Sequence, residues 1–222
     1  MKKMFIFVDF KLIHKMTITL DNTIEQLNII KSVISNGLSY ESYRQQILKD
    51  LQMATNEELN TPGSLPHYAH LNHARMNRLD KTIVLDEPTK TKLSQINNKY
   101  NWVLISEGWC GDASQIVPII SKMSDFSDKI DLKIILRDKH LDLMDVFLTN
   151  GARAIPKLII LNENFTEIIG TWGARPFGAQ KLITDYKNEH KVIDQFIKTE
   201  LQKWYLKDKG LSTMKEILTL LN

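Results

Sequence analysis

Ser106-Glu107-Gly108-Trp109-Cys110-Gly111-Asp112-Ala113 is the stretch on which the reading of this chain turns. It follows a short apolar run, Trp102-Val103-Leu104-Ile105-Ser106, suited to a buried strand. It precedes a segment in which Val117, Ile120 and Met123 recur at helical spacing. Cys110 therefore sits where a strand turns into a helix. The first N–H groups of a helix lack partners and carry partial positive charge, which favours a thiolate there. Cysteines so placed commonly have a pKa lowered from about 8.5 toward 7 or below. Asp112, two residues on, opposes that shift. The residue is either a reactive thiol or a small buried hydrophobe, the usual state of a free cysteine.

Working outward, Leu132–Leu136 reads as a second strand, and Leu141 to Asn150 as a helix ended by Gly151. Pro156–Leu161 is a third strand, and Asn162-Glu163-Asn164 turns it into a fourth, Thr166–Thr171. Strands joined by a helix should be parallel, and those joined by a tight turn antiparallel. The order β-α-β-α-β-β-α describes an α/β fold: a mixed central sheet with helices on both faces. Ile155-Pro156 heads the third strand, a place where a residue without a ladder donor is tolerated. A cis bond there would expose the Ile155 backbone beside the cysteine, so that an extended substrate pairs with it as an added strand. A trans proline opening a strand is the plain alternative.

The region before Trp102 reads as helical. Leu27, Ile30, Val33 and Ile34 recur until Asn36-Gly37. Ser39 can cap a second helix with Tyr40, Tyr43, Ile47 and Leu51 on one stripe. Thr55 to Ser64 reads as a loop, and a third helix from about Pro66 carries Tyr68, Leu71, Met76 and Leu79. Asp86-Glu87-Pro88 looks like a helix start, with Leu93 and Ile96 inward. After the sheet, Val192, Ile193, Phe196, Ile197, Leu201, Trp204 and Tyr205 form a wide apolar stripe that ends at Gly210. Thr213 and Glu216 then have capping-box spacing before a last short helix.

Composition narrows the function classes. Apolar residues are 43% and charged residues 25% of 222, which is ordinary globular usage and enough chain for a core without staples. No apolar run approaches the roughly 20 residues that span a bilayer. The 29 basic and 26 acidic residues are spread without blocks, so no nucleic-acid partner is expected. No zinc-finger pattern, P-loop or GxGxxG occurs, and no metal, nucleotide or flavin cofactor is implied. One cysteine allows no intrachain disulfide and fits a reducing compartment, so the cytoplasm is expected. Met1 to Val8 opens like a signal peptide, but Asp9 and Lys11 interrupt it and no cleavage site follows. Residues 1–15 read as an extension or misread start, with Met16 opening the structured protein.

Trp109-Cys110-Gly111 at a strand-to-helix junction, Pro118 in the helix, and Ile155-Pro156 opening a strand together resemble the thioredoxin superfamily. The likeness covers about residues 102–187. Ser106 to Asp112, Leu136-Arg137-Asp138 and Thr171-Trp172-Gly173-Ala174-Arg175-Pro176 are similar to a bacterial branch of thioredoxin-like proteins with a helical N-terminal extension. The resemblance implies a thioredoxin-like domain at 101–188, a helical region at 16–100, and C-terminal helices at 189–222 packing on the domain. It also implies departures. Ala113 stands where the family has its resolving cysteine, Leu104 where it has a buried carboxylate, and Asp112 replaces the proline between the cysteines.

A dithiol cycle needs two thiols, so one cysteine excludes an ordinary disulfide reductase. Two functions remain. Cys110 can serve monothiol thiol–disulfide exchange, as an oxidoreductase relying on an external thiol, or redox sensing. Alternatively the fold is a redox-silent module for a protein or peptide partner. The candidate catalytic residue is Cys110. Trp109, Gly111, Asp112, Ile155, Pro156, Trp172 and Arg175 are candidate substrate contacts, for a protein or a low-molecular-weight thiol or disulfide. Trp109 is either an apolar platform or core, and Arg175 either an anion-binding fork or a surface arginine. His67, His70 and His73 share a helix, but without a cysteine nearby they read as a solvated or packing face.

Overall fold

The apolar run from Trp102 lies at the centre of β1, Tyr100–Ser106. In the computed structural model, which describes residues 10–221 and side chains from residue 21, β1 is paired on both edges. Strands β2 (Ile130–Leu136), β3 (Lys157–Asn162) and β4 (Ile168–Gly173) complete a sheet of order β2-β1-β3-β4. β1 runs parallel to β2 with Leu104 opposite Ile134, and antiparallel to β3 with Leu104 opposite Leu158. β3 and β4 form the antiparallel hairpin, with a register shift at Ile160/Leu161. Trp102, Val103, Leu104 and Ile105 are all fully buried, so both faces of β1 are covered. That is why this run lacks the alternation of a half-exposed strand.

Helix α1, Phe10–Val33, buries Leu27, Ile30 and Val33 on one face. The boundary expected after residue 15 falls inside this helix, and residues 1–9 lie outside the described residues. Ser39 accepts from Ser42 N to open α2, Tyr40–Met53. Between them Leu38 exchanges two backbone hydrogen bonds with Ile134 and so covers the outer edge of β2. Within Thr55–Ser64, expected as a loop, lies a short helix α3, Asn56–Asn60. A capping box nucleates it: Glu58 N donates to Thr55, and the Glu58 carboxylate accepts from Thr55 N at 2.8 Å.

Ser64 caps α4, Leu65–Thr82, which buries Met76 and Leu79 but leaves Leu71, expected inward, 39% exposed. Asn72 is buried instead, because its amide donates to the Gly108 carbonyl at 3.0 Å. Asp86 caps α5, Glu87–Ser94, and Leu93 and Ile96 face the core. α6, Ala113–Asp125, connects β1 to β2 and is buried along most of its length, Pro118 included.

After β2 the helix expected over Leu141–Asn150 stops early, as α7, Leu141–Asp145. Asn150 and Gly151 both take positive φ, and Thr149 and Ala152 bridge across them. Asn-Gly here makes a tight turn and not a helix end. Downstream lie α8 (Phe177–His190), α9 (Gln195–Asp208) and α10 (Leu211–Leu218). Asp194 caps α9, so Val192 and Ile193 precede it, and with Phe196 they are exposed; the buried stripe is Ile197, Leu201 and Tyr205. Thr213 is no cap. It is buried inside α10, and Glu216 spends its carboxylate on the Trp172 indole and Phe177 N, each at 2.8 Å. One cluster of buried apolar residues runs from Leu27 through the sheet to Leu221, joining helices from both ends of the chain.

Gly173, which ends β4, has φ +124°, and a Cβ there would lie 2.2 Å from the Pro156 carbonyl oxygen. No L side chain fits against a backbone atom at that distance. Gly173→Ala should lower stability by at least about 3 kcal/mol in urea unfolding. A loss below about 1 kcal/mol would contradict this packing of β4 on Pro156.

Candidate functional site

The turn from β1 into α6 places Cys110 two residues before Asp112, the N-cap position of the helix. Cys110 N donates to Glu107 O at 3.1 Å and Ser114 N to Cys110 O at 3.1 Å, so the backbone is committed on both sides. Sγ accepts from Ala113 N at 3.5 Å and donates to the Ile155 carbonyl at 3.3 Å. The Ile155–Pro156 peptide bond is cis. Cys110 is 8% exposed. Burial pushes its pKa up to about 12, and the Asp112 charge adds to the rise. The Ala113 and Asp112 amides and the Arg175 cation pull the other way and do not prevail. The lowering that a helix N-terminus favours is thus outweighed by desolvation.

Asp112 does not cap α6; its carboxylate faces other elements. Oδ1 accepts from the Tyr205 hydroxyl at 2.8 Å, and Oδ2 accepts from Arg175 Nε at 2.9 Å and pairs ionically with Nη2 at 2.8 Å. Three segments meet there: the Cys110 turn, the residues after β4, and α9. Gln115 on α6 donates to Gln202 on α9 at 2.7 Å alongside. Burial raises the Tyr205 hydroxyl pKa well above its usual value, and the Asp112 charge reinforces this.

Trp109 is held from the opposite side. Its indole donates to Asp138 Oδ2 at 3.1 Å, and the Arg137 guanidinium lies 4.6 Å from the ring. Arg137 grips Asp138 Oδ1 through Nε and Nη2, while Asp138 N donates to Glu107 Oε1 at 2.8 Å. Burial raises the Glu107 carboxyl pKa. The Arg137-Asp138 pair therefore orients the residue preceding the cysteine. From the N-terminal helices, Tyr43 shares a 3.0 Å hydrogen bond with Ser106, and a Cβ on Gly108 would lie 2.7 Å from Ile47.

A cavity of about 310 Å³ opens beside the cysteine. Of the residues singled out in the sequence, Trp109, Cys110, Asp112, Ile155 and Arg175 line it, together with Arg137, Arg153 and Gln180. Gly111, Pro156 and Trp172 do not, and the Trp172 indole is occupied with Glu216. Sequence reasoning missed Tyr205, whose place in an apolar stripe concealed its hydroxyl, and Arg153, which has no local signature. At the positions of the absent resolving thiol and carboxylate, Ala113 and Leu104 are both buried. None of the three histidines lines this cavity; His67 Nδ1 lies 3.0 Å from Leu59 O, and His73 contacts Arg44 and Asn77. Among the described residues no helix is long and apolar enough to cross a membrane.

A thioredoxin family model matches residues 59–187. No curated protein matches the chain. Among solved structures, a protein of unknown function from Pseudomonas aeruginosa superposes with a TM-score of 0.59 at 15% identity, over 85% of this chain and 93% of that one. An HIV epitope scaffold superposes with a TM-score of 0.57 at 16% identity, over 86% and 95%. At these identities the structures bear on fold alone. Their coverage shows that the likeness extends into the flanking helices as well as the sheet.

The Asp112–Arg175 pair is mostly buried, and removing one partner strands the other. Asp112→Asn should cost about 3 kcal/mol in urea unfolding. A cycle with Arg175→Met should show a coupling of at least about 1 kcal/mol. Additive losses would mean that the pair does not join the cysteine turn to the segment after β4.

Proposed function

The chain belongs to the thioredoxin family, and on that premise we propose that it is a partner-binding module in which Cys110 is held as a neutral thiol. The observation carrying this reading is the buried thiol that donates a hydrogen bond to the Ile155 carbonyl. A nucleophile must be a thiolate, and burial together with Asp112 opposes that form here. The rest of a dithiol cycle is missing as well: Ala113 cannot release a mixed disulfide, and Leu104 cannot move a proton. What remains is the shelf. The Ile155 N–H makes no hydrogen bond among the described residues, so an extended peptide can pair with it beside Trp109. We assign the module to the cytoplasm, where a single thiol stays reduced.

Monothiol exchange is the second reading, favoured by the Ala113 N–H directed at Sγ. In that chemistry the thiolate attacks a disulfide sulfur, one substrate thiolate leaves, and an external thiol frees the enzyme. Iodoacetamide kinetics from pH 6 to 10 separate the two. The folded chain should alkylate more than about a hundredfold more slowly than the denatured chain at pH 8. Rapid, saturable alkylation with a pKa below about 7.5 would overturn the neutral-thiol reading in favour of exchange.

Stability against pH gives an independent check. The folded pKa lies above the unfolded value of about 8.5. The thiol proton therefore stabilises the folded chain fully below that pH, and the contribution is lost as pH rises toward about 12. Between pH 8.5 and 10.5 the natural chain should lose stability more steeply than Cys110→Ala. Parallel curves would count against a buried neutral thiol.

A further inference from the structure

We infer that the groove beside Cys110 selects an acidic segment, a peptide that places an Asp or Glu side chain among Arg137, Arg153 and Arg175. This rests on the reading of the groove as a peptide site and names the chemistry of its partner.

Those three guanidinium groups line the 310 Å³ cavity, and Asp112 is the one carboxylate in its wall. They arrive from separate segments, after β2, before Ile155 and after β4. Each is held by a carboxylate through Nε and Nη2: Arg137 by Asp138, Arg153 by Asp145, and Arg175 by Asp112. That leaves Nη1 of each. On Arg153 it has no acceptor among the described residues; on Arg137 it has the Arg153 carbonyl at 3.3 Å, and on Arg175 Gln180 Oε1 at 3.4 Å. One side of the fork fixes the plane, and the other side is left with weak partners or none. A guanidinium oriented in advance loses little freedom on taking a carboxylate.

Behind the wall, the mostly buried Lys157 donates to the cavity residue Thr149 at 3.3 Å. Among the described residues it has no carboxylate within ion-pair distance, so an anion in the cavity would relieve an uncompensated charge. Asp138, Asp145 and Asp112 offset all three arginines, which makes this a site of short-range donors and not a long-range basic field. A polyanion needs such a field. A single side-chain carboxylate beside a free strand edge does not.

The test uses the full chain and a set of extended heptapeptides, identical except for a central Asp, Glu, Asn, Gln, Lys or Ser, read by fluorescence polarisation. Asp and Glu peptides should bind at least about tenfold tighter than their amides, a preference that persists at 0.3 M salt. Arg153→Gln, at an exposed fork, should cut that preference to about threefold or less. Lys203→Gln on the outer side of α9 serves as a charge control and should leave it intact. Equal binding of acid and amide peptides overturns this inference and leaves the peptide groove standing. An undiminished preference in Arg153→Gln overturns the assignment to these arginines. Binding of no peptide at all overturns groove and inference together. Glutarate binding without peptide binding means a free small carboxylate is the ligand, and equally overturns the peptide assignment.

Discussion

The Asp112 carboxylate holds the site together. It takes a hydrogen bond and an ion-pair contact from Arg175 and a hydrogen bond from the Tyr205 hydroxyl. Through them the turn after β1, the segment after β4 and the α9 helix are tied at one charge. These parts are distant in sequence and share no local reason to meet. An ionised carboxylate this deep is tolerable only because all its partners are present, so each partner's position depends on the others. The cavity inherits its shape from this arrangement, since Asp112 and Arg175 form part of its wall.

The same arrangement determines the state of the cysteine. A helix N-terminus, two backbone amides and a nearby arginine all favour a thiolate at Cys110. Against them stand near-complete burial and a fixed negative charge two residues away. Desolvation is the largest of these effects and wins. A protonated thiol then satisfies itself by donating to Ile155, on the very shelf an extended partner would use. In this reading the cysteine is a fitted wall of the groove, and recognition passes to the backbone of Ile155 and to the arginines around it.

The N-terminal helices are part of that groove's support. Asn72 donates to the Gly108 carbonyl, Tyr43 meets Ser106, and Ile47 packs where a Gly108 side chain would sit. Leu38 closes the exposed edge of β2, which would otherwise present unpaired backbone groups. Truncating the helices would therefore bare both a sheet edge and the underside of the Trp109 turn. The arm and the sheet share one core, which is why they read as distinct in sequence texture but are continuous in packing.

Sequence alone was sufficient for the elements whose causes are local. Unbroken apolar runs mark β1 and β3, helical spacing marks α4 and α6, and Ser39 and Asp86 announce their helices through side-chain caps. The parallel and antiparallel senses of consecutive strands were legible too, because they follow from how the strands are connected, whereas Cys110 beside Ile155 was legible only on condition of a cis bond at Pro156. Locally ambiguous signals misled. Asn150-Gly151 served a turn instead of a helix end, and Thr213 and Glu216 had the spacing of a capping box without its geometry. Only the tertiary structure decided the burial of Cys110, the partnership of Asp112 with Tyr205, and the gathering of Arg137, Arg153 and Arg175. Burial and long-range pairing are properties of the packed chain, and no residue carries them in its own neighbourhood.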